Sequence, residues 1–211
     1  MKAVIFDRDG VLIDSENIHK ISVKEAFAQL GIILTKEEVA SVVARHYSDY
    51  IPEFEKKYSF DRKKYFLLQQ QEYEARREER KIINPAVTLL KSLAEQGVII
   101  GICTSASSKG THKLIHDLNL TEYVQAIITD EECSQKKPSP EPYQKMAKKL
   151  SLPPQECIVI EDSEIGVLSA TRAGMKCIAI PNEHTKKQDF SQATMVLTSA
   201  DEITMDVLRR V

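Results

Sequence analysis

The first apolar block in the chain is short and ends abruptly. Ala3, Val4, Ile5 and Phe6 run without interruption to Asp7, and Arg8, Asp9 and Gly10 follow with no spacer. A run of this kind bounded by polar residues predicts a strand buried on both faces, as in a parallel sheet. Val11, Leu12 and Ile13 then carry the chain away from the strand, and the period changes. Ile18, Ile21, Ala26, Phe27 and Leu30 recur at spacings near three and four. They predict a helix from about Ser15, ended by Gly31. Thr35 with Glu38 reads as a capping box opening a second helix, with Val39, Val42 and Val43 as its apolar face. Asp61 caps a third, charge-rich helix to about Lys81, with a narrow stripe near Tyr65, Leu68 and Tyr73. Residues 44–60 receive no element.

From Asn84 the rhythm alternates. Asn84 and Pro85 read as an N-cap and a first-turn proline for a helix that buries Val87, Leu90, Leu93 and Ala94 and ends at Gly97. Apolar runs at 98–103, 124–128 and 157–160 close on Thr104-Ser105, Thr129-Asp130 and Glu161-Asp162. Between them lie helical patterns at 109–118 and from Ser139 to about Leu150, and another follows from Ser163 to Gly174. The last apolar runs are 176–180 and 195–197. Such alternation predicts an α/β fold, a Rossmann-like parallel sheet with helices on both faces. The expected organisation is a core of residues 1–14 and 81–211 interrupted by a helical insertion, a cap, at 15–80.

Composition narrows the class. Apolar residues are 42% and charged residues 28% of the chain, which allows a sizeable core. A net charge of -2 offers no field to attract nucleic acid or anionic lipid. No apolar run approaches the roughly 18 residues of a membrane span, and no secretion signal precedes the first strand. Cys103, Cys133, Cys157 and Cys177 form no C-x-x-C pair, which suits a reduced, cytoplasmic protein without a cysteine-held metal. A monomer is the default expectation, since no segment offers an obvious unpaired apolar face.

In a parallel sheet, the residues closing each strand share one edge, and ligands bind in the crevice beyond it. That rule gathers Asp7 and Asp9, Thr104 and Ser105, and Glu161 and Asp162, with Lys137 on a loop before a helix. Four clustered carboxylates could not all stay ionised without a cation. Oxygen ligands with no nearby histidine or cysteine select Mg²⁺, which usually keeps waters and substrate phosphate among its ligands. Thr104 offers a hydroxyl to that phosphate, Ser105 and Ala106 offer amides, and Lys137 offers a point charge. Asp7, fixed at the strand end, suits nucleophilic attack, and Asp9 suits proton transfer to and from the leaving group and water.

The residues also carry a resemblance. Asp7-Arg8-Asp9-Gly10-Val11-Leu12, Thr104-Ser105, Lys137-Pro138 and Glu161-Asp162-Ser163, in that order, resemble the four motifs of the haloacid dehalogenase superfamily. Asp14-Ser15-Glu16 with His19, the run from Lys137 to Tyr143, and Ala173-Gly174-Met175 are similar to signatures of its β-phosphoglucomutase-like, helical-cap branch. The resemblance implies Asp7 as nucleophile and metal ligand, and Asp9 as general acid and base with its backbone carbonyl on the metal. It implies Thr104 and Lys137 as phosphate binders and Asp162 as a metal ligand, with Glu161 joining directly or through water. The implied activity is Mg²⁺-dependent hydrolysis of a small phosphomonoester, a sugar phosphate or similar metabolite, through an aspartyl phosphate, under a cap that excludes water.

Two alternatives stand beside the phosphatase. A phosphosugar mutase of the β-phosphoglucomutase type needs a cap arginine for a second phosphate, and only Arg45 could substitute. A signalling receiver also combines acids, a hydroxyl and a lysine around an acceptor aspartate, but the insertion after Asp14 and the second acid pair argue against it. His19 is an open candidate; His46, His112, His116 and His184 carry less weight. Gly166 and Gly174 read as structural, for close helix packing and helix termination. Arg8 is expected to point away from its two acidic neighbours, by strand alternation.

Overall fold

The computed structural model describes residues 1–211 except 44 and 46. Ala3–Phe6 forms the central strand, β1, and all four of its residues are buried. The chain divides into two compact units, Met1–Ile13 with Ile82–Val211, and Asp14–Lys81. Ile13–Asp14 (β2) and Lys81–Ile82 (β3) pair as a short ribbon where the chain passes between them.

The first unit is an α/β sheet. Its other strands are Ile99–Cys103 (β4), Ala126–Ile128 (β5), Cys157–Glu161 (β6), Lys176–Ala179 (β7) and Met195–Val196 (β8). The order is β5-β4-β1-β6-β7-β8, all parallel. Successive side chains point to opposite faces, so Val4 and Phe6 enter one core with Leu90, Leu93 and Ile100, while Ala3 and Ile5 enter the other with Tyr143, Met146 and Val167. Each fully buried aliphatic or aromatic side chain stabilises the fold by about 1.5–3 kcal/mol. The register aligns Phe6 with both Ile102 and Ile160, so the residues after these three strands emerge side by side.

The helices of this unit are Asn84–Glu95, Ser108–Asp117, Glu141–Leu150, Glu164–Arg172 and Met205–Arg210. The first begins one residue off the expected cap: Ile83 is the N-cap, and Asn84 makes no capping bond. The last has no counterpart among the expected elements, since six residues are too few for a helical period to register.

The second unit is helical. Glu16–Gln29 (α1), Lys36–Ser41 (α2), Tyr47–Lys57 (α3) and Arg62–Ala75 (α4) bury Phe27, Tyr50, Ile51, Phe54 and Tyr65 against one another. The Phe27 ring meets Phe54 at 5.2 Å and Tyr65 at 4.6 Å. The Thr35–Glu38 capping box and the Asp61 cap both form. α3 lies in the stretch that received no element. Pro52 stands within it, a residue that removes a helical donor, yet Tyr50, Ile51 and Phe54 bury one face and packing prevails. With 44 and 46 outside the described residues, nothing is assigned to His46.

Candidate active site

The first acid is set by the sheet. β1 ends at Phe6, and the Asp7 amide donates to the Ile160 carbonyl at 2.9 Å, so Asp7 is held by the neighbouring strand. On one side β4 delivers Cys103 and Thr104; on the other β6 delivers Glu161 and Asp162. Asp7, Thr104, Lys137, Glu161 and Asp162 are all buried.

Lys137 ties this edge together. Its ammonium donates to Asp7 Oδ1 at 2.6 Å, to Glu161 Oε1 at 2.6 Å and to the Cys103 carbonyl at 3.1 Å, which engages all three of its N–H groups. Tyr143 donates its hydroxyl to the same Glu161 oxygen at 2.7 Å, and the ammonium sits 5.0 Å from the Tyr143 ring centre. Glu161 Oε2 accepts from the Asp162 amide at 3.1 Å and the Ser163 hydroxyl at 3.2 Å. Asn182 donates to Asp162 Oδ2 at 2.7 Å.

Two glycines give the carboxylates room. A Cβ on Gly166 would lie 2.0 Å from the Glu161 carboxyl group, so the close helix packing expected of this glycine is packing against that carboxylate. A Cβ on Gly10, whose φ is +82°, would lie 2.0 Å from Asp162 Oδ2. Gly174, at φ +80°, ends its helix as expected.

The charges are out of balance. Oxygens of Asp7, Glu161 and Asp162 lie within 4.8 Å of one another, against one ammonium. Burial pushes the Asp7 carboxyl up to about 7, with Lys137 opposing and Glu161 and Asp9 adding to the rise. Burial, with Glu161 and Asp7, holds Asp162 well above the usual carboxylate range. Burial alone would lower Lys137, but Asp7 and Glu161 outweigh it and keep the ammonium protonated. A hard divalent cation fits this oxygen-only cluster, because it would relieve the repulsion that raises Asp7 and Asp162.

The other expected residues fall into place unevenly. Thr104 is buried beside the cluster, and its hydroxyl accepts from the Ala106 amide at 3.0 Å, so that amide is engaged within the loop. Ser105 is exposed. The Asp9 carboxylate stands apart from the three-acid cluster, so the expected four-acid grouping is a three-acid one. Arg8 grips the Asp9 carboxylate: Nε donates to Asp9 Oδ2 at 2.8 Å and Nη2 to Asp9 Oδ1 at 2.9 Å. Arg8 therefore turns toward Asp9 and not away. Alternation holds only within a strand, and the chain beyond Phe6 bends, with the Leu12 and Ile13 amides both donating to the Arg8 carbonyl. His19 lies in α1 of the helical unit, its ring edge-on to Tyr50 at 6.1 Å.

Tyr143 and Asn182 join the site without a role assigned to them from the sequence. The strand-end rule reaches Asn182, which follows β7 on the same sheet edge, once Lys176–Ala179 is read as a member of the sheet. Tyr143 carries no such signal, because a phenol on an amphipathic helix reads as core.

Known proteins resemble the chain over nearly its whole length. The chain is 28% identical to YhcW of Bacillus subtilis (strain 168), across 99% of this chain and 96% of that one. It is 24% identical to validoxylamine A 7'-phosphate phosphatase of Streptomyces hygroscopicus subsp. limoneus, across 96% and 95%. The crystal structure of β-phosphoglucomutase from Clostridium difficile has the same fold, with a TM-score of 0.81 at 24% identity, across 100% and 96%. The haloacid dehalogenase-like hydrolase family matches residues 4–180, a span that holds Asp7, Asp9, Thr104, Lys137, Glu161 and Asp162. With that match over most of its length, the chain belongs to the haloacid dehalogenase-like hydrolases.

Proposed function

We propose that the chain is a Mg²⁺-dependent phosphomonoesterase that hydrolyses a small phosphorylated metabolite through an aspartyl phosphate on Asp7. The observation that carries this reading is the Lys137 ammonium held 2.6 Å from both Asp7 and Glu161, beside Asp162 in one buried cluster. The phosphatase name of a relative similar across nearly the whole chain supports it.

Asp7, Asp162 and Glu161 would hold the cation, together with the Asp9 backbone carbonyl. When bound, Mg²⁺ offers positive charge to the phosphoryl oxygens and offsets the crowded carboxylates. Glu161 would act directly or through water, since Oε1 accepts from Lys137 and Tyr143 and Oε2 from the Asp162 amide and the Ser163 hydroxyl.

Lys137 grips Oδ1 of Asp7 and leaves Oδ2 to attack phosphorus. The Asp7–phosphorus bond forms as the ester O–P bond breaks, and Asp9 gives a proton to the departing oxygen. A water then loses its proton to Asp9 and attacks phosphorus, releasing inorganic phosphate and restoring Asp7. The Thr104 hydroxyl and the Ser105 amide would bind the phosphoryl oxygens, and Lys137 would add its charge, turning one of its three engaged N–H groups to them as substrate binds.

Residues 1–14 and 81–211 form the catalytic core in this reading, and the helical residues 15–80 act as the cap that selects substrate and limits water. Hydrolysis is favoured over phosphosugar isomerisation by Arg45. Its guanidinium donates to Glu53 at 2.6 and 3.1 Å, to the Asp49 carbonyl at 3.0 Å and to the Ser41 carbonyl at 3.2 Å, which commits it within the helical unit. The four buried free thiols suit a reducing, cytoplasmic setting. No helix among the described residues is long and apolar enough to cross a membrane.

Phosphate release from p-nitrophenyl phosphate and a panel of sugar phosphates, with and without Mg²⁺, tests the reading. Metal-dependent release that is lost in Asp7→Asn is the expected result. Isomer conversion with the phosphate retained identifies a mutase instead, and an aspartyl phosphate lasting many minutes identifies a receiver.

A further inference from the structure

The residue between the two acids of the first motif has no part in the chemistry above, yet it is one of the least exposed charges in the protein. The Arg8 side chain is 5% exposed, whereas the Asp9 side chain beside it is 37% exposed. Its guanidinium forks onto both Asp9 oxygens at 2.8 and 2.9 Å. Behind the fork, Nη1 lies 3.4 Å from the hydroxyl of Thr111, which is fully buried. That hydroxyl donates to the Ser107 carbonyl at 2.8 Å, which leaves its lone pairs for Arg8. The guanidinium is thus fixed against the first turn of helix Ser108–Asp117, while the carboxylate it grips faces outward.

We propose that Arg8 is a positioning residue for Asp9, holding its carboxylate in one orientation, apart from the Asp7–Glu161–Asp162 cluster and ready for proton transfer. This inference rests on the hydrolase reading above. A carboxylate has about four lone-pair sites, and the fork engages one on each oxygen along a single edge. A planar, two-pronged donor fixes both the direction and the rotation of the carboxylate, which a single ammonium cannot do. Lys137 pairs with Asp7 and Glu161, and Arg8 pairs with Asp9, so the two motif acids meet different cations. Asp9 is thereby kept from turning into the cluster, where it would add a fourth negative charge.

The test compares wild type, Arg8→Met, Arg8→Lys, Asp9→Asn and the double variant Arg8→Met/Asp9→Asn. With p-nitrophenyl phosphate and Mg²⁺, Arg8→Met is expected to lower kcat about tenfold or more, a fraction of what proton transfer by a placed acid contributes, with KM changed by less than about twofold. Arg8→Lys is expected to recover only part of the loss, and Mg²⁺ affinity to stay within about twofold of wild type in all Arg8 variants. Urea unfolding of the same set gives a double-mutant cycle that needs no catalysis, and a coupling of at least about threefold in the unfolding constant is expected for a held pair. An unchanged or higher kcat in Arg8→Met, or no coupling in the cycle, overturns the proposal. Wild type that releases no phosphate contradicts the hydrolase reading alone, and the cycle then decides whether Arg8 holds Asp9.

Discussion

Lys137 is where the site is most sensitive. One ammonium faces two buried carboxylates at 2.6 Å, so its removal leaves both without a cation. Breaking a buried pair in this way costs about 3–5 kcal/mol. Lys137→Met should lower urea stability by an amount of that order and reduce kcat/KM at least about a hundredfold, the scale set by loss of one fixed donor to developing charge. A variant with normal stability and activity would show that the ammonium is dispensable. Asp7 makes the complementary prediction through pH. Its folded value, about 7, lies above its ordinary 3.8, so between those values the folded state binds the proton that the unfolded state has released. Stability of the metal-free protein from this group is therefore present at low pH and lost as pH rises toward 7. Asp7→Asn, which mimics the protonated form, should melt above metal-free wild type at pH 8, and the gap should close at pH 5. Thermal denaturation in EDTA at the two pH values measures it, and a gap that widens toward pH 5 contradicts the sign.

At the scale of elements, the parallel strands gather the candidate residues by ending together. Gly166, two residues into helix Glu164–Arg172, shows how closely β6 and that helix are fitted around one carboxylate. Gly166→Ala should cost about 1–3 kcal/mol by overpacking and should lower kcat by displacing Glu161 from Lys137. Equal stability and activity in that variant would mean that Glu161 has another place to go. The sheet and its edge were legible because apolar runs ending in Asp7, Thr104 and Asp162 combine a burial signal with a chemical one. Arg8 departs from the expectation because it stands two residues beyond the strand, where alternation gives way to a bend set by hydrogen bonds to its own carbonyl. Tyr143 stayed hidden because its contribution is a hydroxyl meeting Glu161 18 residues away, a contact that no local period encodes. Helix Tyr47–Lys57 stayed hidden because Pro52 argues locally against what aromatic packing enforces globally.

For the whole molecule, three crowded carboxylates and one lysine predict a protein whose stability answers to a divalent cation. Mg²⁺ should raise the melting temperature of wild type, and more at pH 8 than at pH 5, because cation and proton compete for the same oxygens. No Mg²⁺-dependent shift at pH 8 would leave the cluster without its counter-ion. The central claim, that Asp7 carries the phosphoryl group between substrate and water, is tested most directly by trapping that bond. Enzyme turning over p-nitrophenyl phosphate with Mg²⁺ is quenched in acid and reduced with borohydride, which converts an acyl phosphate to an alcohol, and its peptides are weighed. The account predicts reduction at Asp7 and at no other carboxylate. Steady phosphate release with Asp7 unreduced at every quench time would contradict it.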